Sequence, residues 1–138
     1  MRSTYLLIIL VLPALAILNS WFFGSELQRF GRSVTTFSST SDIEMFKAIV
    51  ARQMYAALAQ IVLLVVPPIL FFVGIVRGVL GPGDLLFVIV PSLVVLAVAF
   101  AYKNVEKSVQ STPAADDELR RQKDAIIHTW LKKPLPDW

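Results

Sequence analysis

Few side chains of this 138-residue chain could carry out chemistry. The chain has no cysteine, which excludes thiolate metal sites, iron–sulfur clusters and haem attachment through cysteine. A nucleophile needs a base beside it, and a catalytic metal needs several ligands. His128 is the single histidine and lies in a charged C-terminal segment. This setting favours a solvated histidine over a metal or haem ligand.

Acidic residues offer no stronger site. Asp116, Asp117 and Glu118 form one cluster, and no second cluster is present to complete a cation site. Acidic side chains in the first turn of a helix interact favourably with the helix dipole, so this cluster indicates a helix start. We therefore expect no catalytic residue, no metal site, no cofactor and no small-molecule substrate, and we expect that the protein is not an enzyme.

Three apolar blocks dominate the chain, residues 5–23, 54–76 and 85–102, and none contains a charged residue or histidine. Hydrophobic residues make up 56% of the sequence and charged residues 17%, whereas soluble domains have about 45–50% and about 25%. A helix of about 20 apolar residues crosses the ~30 Å hydrocarbon layer of a bilayer. The blocks therefore predict three transmembrane helices.

The first block also allows a second interpretation, a cleaved secretory signal. Residues 1–16 end in Ala14, Leu15 and Ala16, which resemble a signal cleavage site. The apolar run nevertheless continues to Phe23, beyond the point where a signal becomes polar. We expect that this segment is retained as a helix.

The chain is predicted to be an all-α integral membrane protein with three transmembrane helices and an amphipathic C-terminal helix. The six predicted segments are transmembrane helix 1 (1–23), a polar linker (24–41), an amphipathic lead-in continuous with transmembrane helix 2 (42–76), a hairpin turn (77–84), transmembrane helix 3 (85–102) and a cytoplasmic tail (103–138). Because the turn is short and rich in glycine, the last two transmembrane helices should form an antiparallel hairpin.

Capping signals predict where two of the helices start. Ser41 and Glu44 have the spacing of a capping box at the start of the lead-in. In the tail, Thr112 followed by Pro113 has the pattern of a cap and a proline in the first turn. The tail helix then carries an apolar stripe, which we predict to contact a partner or the membrane interface: Leu119, Ile126, Ile127 and Trp130.

Every apolar block contains proline: Pro13 in the first, Pro67 and Pro68 in the second, and Pro91 in the third. Each proline removes a helical hydrogen bond and crowds the preceding turn, so the four positions are predicted helix kinks. The adjacent pair predicts a sharp kink or a short break near Val66. The prolines lie at similar depths, which indicates either a shared layer of kinks or the ordinary abundance of proline in membrane helices.

Asn19 and Gln60 are the strongest polar side chains within the predicted spans. Both lie near the inner ends of their helices, so they could form an interhelical hydrogen bond worth ~1 kcal/mol. An equally open alternative is that Asn19 reaches interfacial water. No acidic or basic residue lies in the three blocks, so the sequence does not indicate an ion or proton pathway.

Lysine and arginine residues predict the orientation. The linker, the lead-in and the tail together carry eleven, whereas the opposite side has only Arg2 and Arg77. Because basic residues are enriched in cytoplasmic loops, we predict a cytoplasmic C-terminus and an external N-terminus in a bacterial inner (plasma) membrane. The net charge of +3 is small and does not indicate binding to nucleic acid.

These features favour a non-catalytic accessory or assembly subunit of a larger membrane complex, with membrane lipid and other membrane-protein subunits as partners. The kinked helices and the amphipathic tail would provide the docking surfaces. Two alternatives stay open: a small oligomeric transporter or channel component, and a membrane-surface protein that organises lipid and whose tail helix lies in the interface.

Overall fold

The computed structural model describes all 138 residues. Four α-helices follow one another along the chain: α1 (Arg2–Ser33), α2 (Thr40–Val76), α3 (Leu86–Gln110) and α4 (Asp117–Lys132). A short 3-10 helix, Pro82–Leu85, precedes α3. The structure is all-helical, and its one strand-like contact is an isolated bridge between Phe37 and Ala114.

Three helical segments are long and apolar enough to cross a membrane: Arg2–Ser33, Thr40–Val76 and Pro82–Gln110. The shortest has 29 residues and, at ~1.5 Å per residue, extends about 44 Å, which exceeds the ~30 Å hydrocarbon layer. The predicted number of apolar helices is confirmed. α2 is also one continuous helix through the lead-in and the second apolar block.

The end of the first helix differs from the prediction. α1 does not stop at Phe23 but continues through Ser33, so residues 24–33 of the predicted linker are helical. Gly24 and Gly31 do not break the helix, because side chains of another helix pack closely against both. A Cβ atom on Gly24 would lie 2.5 Å from the ring of Tyr102, and one on Gly31 would lie 3.1 Å from Val109. Tertiary contact here outweighs the weak helix propensity of glycine.

The start of α2 also differs, because its cap lies two residues before the predicted one. α2 begins at Thr40, and the Ser39 hydroxyl accepts a hydrogen bond from the backbone amide of Asp42 at 3.4 Å. The Asp42 carboxylate in turn accepts one from the backbone amide of Ser38 at 3.0 Å. The first bond is a side-chain cap at Ser39, and the second joins Asp42 to the residue before that cap; the sequence had placed a capping box at Ser41 and Glu44.

The tail helix starts later than predicted. Pro113 lies outside the helix, and its carbonyl oxygen accepts a hydrogen bond from the Phe37 amide at 2.9 Å. The amide of Ala115 then donates to the Phe37 carbonyl at 2.8 Å. α4 begins only at Asp117, where the side chain of Asp116 accepts from the Leu119 amide at 2.8 Å. Pairing with a distant segment therefore replaces the local start signal at Thr112 and Pro113.

The chain forms two compact units, each built from two segments. We call them the apolar unit (Met1–Trp21 and Ala59–Ala101) and the charged unit (Phe22–Leu58 and Tyr102–Trp138). All charged residues except Arg2, Arg77 and Asp84 belong to the charged unit. The two compact units therefore differ sharply in their content of charged residues.

The charged unit has an aromatic core. Phe30 on α1 stacks on Phe46 of α2 with 5.7 Å between ring centroids, and Phe37 lies 5.2 Å from Phe46. Trp130 of α4 meets the edge of Phe46 at 6.4 Å. These rings pack among buried aliphatic side chains from all four helices, including Val50, Val109 and Leu119.

The apolar unit has a smaller core, centred on Ile9, Leu80 and Val88. Leu80 packs directly on Gly74, where an added Cβ atom would lie 2.5 Å from the leucine side chain. Gly78 has a φ of +68°, a backbone conformation that allows the chain to leave α2 immediately after Val76. Both glycines are thus required for the turn that returns the chain to this core.

Candidate functional site

The apolar unit contains a pair of hydrogen-bonded amides. Nδ2 of Asn19 on α1 donates to Oε1 of Gln60 on α2 at 2.9 Å, so the structure brings together the two polar side chains that the sequence singled out. Nε2 of Gln60 is buried and has no hydrogen-bond partner. A buried donor without an acceptor costs about 1–3 kcal/mol, so this amide is a local weakness of the fold.

The four prolines of the apolar helices have different surroundings. Pro13 and Pro67 are fully buried, Pro91 is partly buried and Pro68 is exposed. α2 continues through Pro67 and Pro68, so the short break near Val66 does not occur. The rings of Pro13 and Pro67 fill interior space, which gives these two prolines a packing role.

The apolar stripe of the tail helix packs on the chain itself. Leu119 and Ile126 are buried in the core of the charged unit, and Ile127 and Trp130 are partly buried against it. Burial of a large aliphatic side chain contributes about 1.5–3 kcal/mol to folding, so these residues stabilise the charged unit. The apolar stripe therefore packs against this chain itself and not against a separate partner.

An ion pair that the sequence did not indicate lies in the apolar unit. Nη2 of Arg2 donates to Oδ1 of Asp84 at 2.8 Å, and Oδ2 of Asp84 accepts from the backbone amide of Gly81 at 2.9 Å. Asp84 is 5% exposed, whereas the Arg2 side chain is 65% exposed. Asp84 is the only acidic residue of the apolar unit, but the sequence does not distinguish Arg2 from Arg77 as its partner.

A second unforeseen feature is a buried lysine in α4. Lys123 is 8% exposed, and its Nζ donates to the carbonyl oxygen of Thr112 at 2.5 Å. Burial lowers the pKa of Lys123 from its usual 10.5, and Arg120 lowers it further, while Asp124 opposes the shift. The bond ties α4 to the end of the segment that precedes it.

Both units contain a groove of ligand size. The groove of the apolar unit has a volume of 350 Å³ and is lined by Met1, Thr4, Tyr5, Ile8 and Leu70. The groove of the charged unit has a volume of 490 Å³ and lies between the start of α2, α4 and the C-terminal residues. Ligand sites in proteins commonly have volumes of about 300–1,000 Å³.

No group of three or more His, Cys, Asp or Glu side chains is placed to hold a metal ion. His128 is exposed on α4. In the most apolar 18-residue windows of the three long segments, only 17%, 11% and 11% of the residues are buried. Most of the apolar surface is therefore uncovered, as at Leu7, Phe72 and Phe100.

Comparison of the chain with models of known protein families, with curated proteins and with solved structures found no match.

Proposed function

We propose that this chain is an integral membrane protein without catalytic activity, and that it acts as an accessory or assembly subunit of a larger membrane complex. The observation that carries the proposal is the uncovered apolar surface of the three long helices. Soluble monomers rarely expose contiguous apolar patches larger than about 300–600 Å². Lipid and the transmembrane helices of other subunits are the partners that suit such a surface.

We further propose that α2 and α3 form an antiparallel transmembrane hairpin. Two sets of contacts in the charged unit support this arrangement. α1 and α2 are antiparallel where they touch, because Phe23 contacts Gln53 and the later Phe30 contacts the earlier Phe46. α1 and α3 are parallel where they touch, because Gly24 contacts Tyr102 and Gly31 contacts Val109. α2 and α3 should therefore be antiparallel to each other.

The proposed orientation places the C-terminus in the cytoplasm and the N-terminus outside, in a bacterial inner membrane. Its support is the location of almost all basic residues in the charged unit. On the opposite side, Asp84 neutralises Arg2 and leaves Arg77 as the only unpaired basic side chain. Fewer unpaired positive charges then have to cross the membrane.

Docking is proposed to use the outer face of α3. Leu93, Ala97, Phe100 and Ala101 are exposed on this face and recur at helical spacing. Small side chains such as alanine allow another transmembrane helix to approach closely. α4 is proposed to be an amphipathic helix that stabilises the charged unit, since its apolar stripe already lies in the core.

Two other functions are the alternatives to this proposal. A small oligomeric channel or transporter would use the Asn19–Gln60 pair as part of a polar pathway, because these amides are the strongest polar groups in the spans. A lipid-organising protein would use the charged unit at the membrane surface. We favour the accessory subunit because the three apolar blocks, residues 5–23, 54–76 and 85–102, contain no acidic or basic side chain, which transport pathways usually have.

Purification in mild detergent followed by native mass spectrometry tests the proposal. We expect a second membrane protein to co-purify in fixed stoichiometry. Ala97→Trp should reduce its recovery about tenfold, because a bulky ring prevents close helix contact. Leu96→Trp, the matched control at the preceding position of α3, should leave recovery of the second protein unchanged. Isolation of the chain with only lipid and copies of itself would contradict the accessory-subunit function.

A further inference from the structure

We propose that the apolar unit binds one anionic phospholipid, with the phosphate on Arg2 and one acyl chain in the groove beside Tyr5. The inference rests on the proposed membrane insertion and adds a specific lipid site to it. Two independent features of the first turns of α1 support the site, a positioned guanidinium group and an apolar groove.

The guanidinium group of Arg2 is held in place by a buried carboxylate. Both oxygens of Asp84 are occupied, one by Arg2 and the other by the backbone amide of Gly81. Arginine has five N–H donors, and the contact with Asp84 uses one nitrogen. The remaining donors belong to a side chain that is 65% exposed, so they can bind a phosphate in the bidentate manner that arginine favours.

The groove accounts for the apolar part of the ligand. Ile8 and Leu70 line it together with Tyr5 and Thr4, whose hydroxyl groups supply the only side-chain polar atoms. Arg2 precedes Thr4 and Tyr5 within the same turn of α1, so the charged group and the groove occupy the same end of the helix. A phospholipid has this combination of an anionic head and an apolar chain.

The charge of the site selects the lipid class. Near the groove the apolar unit has Arg2 and its partner Asp84, and the carboxylate is buried while the guanidinium is exposed. The accessible surface is therefore positive, although the pair is neutral as a whole. A headgroup with a net negative charge, such as phosphatidylglycerol, should bind more tightly than zwitterionic phosphatidylcholine.

Native mass spectrometry of the full chain from nanodiscs of equal phosphatidylglycerol and phosphatidylcholine content tests the site. The wild-type chain should retain one phosphatidylglycerol molecule in preference to phosphatidylcholine. Arg2→Gln should reduce this preference about tenfold, corresponding to about 1.4 kcal/mol. Arg77→Gln removes the other arginine of the apolar unit and should retain the preference. Equal retention of the two lipids by wild type, or equal effects of the two substitutions, would overturn the proposal.

The groove is tested separately by filling it. Ile8→Trp should abolish retention of the lipid, whereas Leu7→Trp, on the neighbouring exposed position, should not. Thr4→Trp, at the exposed rim, provides a second filled groove, so the test does not depend on the folding of one variant. Lipid retention by both filled variants would overturn the acyl-chain site. A chain that enters nanodiscs but shows no lipid preference refutes only this site, whereas a chain that does not enter them refutes membrane insertion as well.

Discussion

The amide pair of the apolar unit illustrates how a single residue can be both useful and costly. Gln60 accepts a hydrogen bond from Asn19, but its own buried nitrogen has no acceptor. A buried donor without an acceptor costs about 1–3 kcal/mol. The pair therefore joins α1 to α2 by one hydrogen bond and leaves one buried donor unsatisfied.

A double-mutant cycle at these two positions should reveal that imbalance. Asn19→Leu removes the donor to Gln60 and should reduce the free energy of unfolding by about 1 kcal/mol. Gln60→Leu removes the unsatisfied nitrogen together with the bond, so its effect should be smaller. The double variant should lose less free energy of unfolding than the two single variants lose together. Unfolding in detergent micelles measures these free energies. Strictly additive effects would show that the two amides do not act as a pair.

At the scale of elements, the charged unit depends on contacts that tie α4 to distant parts of the chain. The bridge between Phe37 and Ala114 fixes the segment before α4, and Lys123 bonds back to the Thr112 carbonyl. The apolar stripe then completes the core around Phe46. A helix with a buried lysine should be sensitive to the protonation state of that lysine.

The stability of wild type should rise with pH relative to that of Lys123→Met. Burial lowers the folded-state pKa of Lys123 below 10.5, so between the two pKa values the unfolded chain binds more protons than the folded chain. The free energy of unfolding of wild type therefore increases with pH across that alkaline window, and the methionine variant lacks this contribution. Denaturant unfolding of both proteins from neutral pH to pH ~10.5 measures the difference. The prediction would be contradicted if the difference in free energy of unfolding between the two proteins did not change with pH.

The helices also show which elements local sequence can and cannot specify. The three apolar blocks and the turn after Val76 are visible in the sequence, because uncharged length and glycine content determine them. The extension of α1 is not, because Gly24 and Gly31 suggest a linker until Tyr102 and Val109 are known to lie against them. Contacts between residues far apart in sequence decided that boundary.

The candidate site follows the same rule. Asn19 and Gln60 could be paired from their depths in the predicted spans. Arg2 and Asp84 could not be paired, because they are 82 positions apart and Arg77 lies closer in sequence. The burial of Lys123 was equally hidden, because α4 carries several basic residues and only packing distinguishes this one.

At the scale of the whole molecule, charge follows the division into two units. Only three charged residues lie in the apolar unit, and two of these form an ion pair. The charged unit combines a buried aromatic core with a polar surface, as a water-exposed domain does. This asymmetry is the basis of the orientation proposed above.

Single cysteines can test that orientation, because the native chain has none. Gly83→Cys should react with an impermeant maleimide in intact cells, and an added Cβ atom there has no neighbour within 4 Å. Thr35→Cys, at an exposed position between α1 and α2, should react only after the cells are opened. Labelling of residue 35 from outside would reverse the proposed topology.

The pairing of Phe37 with residues 113–115 has a consequence for biosynthesis. Ribosomes add about 5–20 residues per second, so Phe37 is made roughly 4–15 s before its partner segment. During that interval the ring of Phe46 lacks the tryptophan of α4 that later packs against it. The nascent chain should therefore be a client of holding chaperones, and messages truncated before codon 113 should yield polypeptides that proteases remove rapidly.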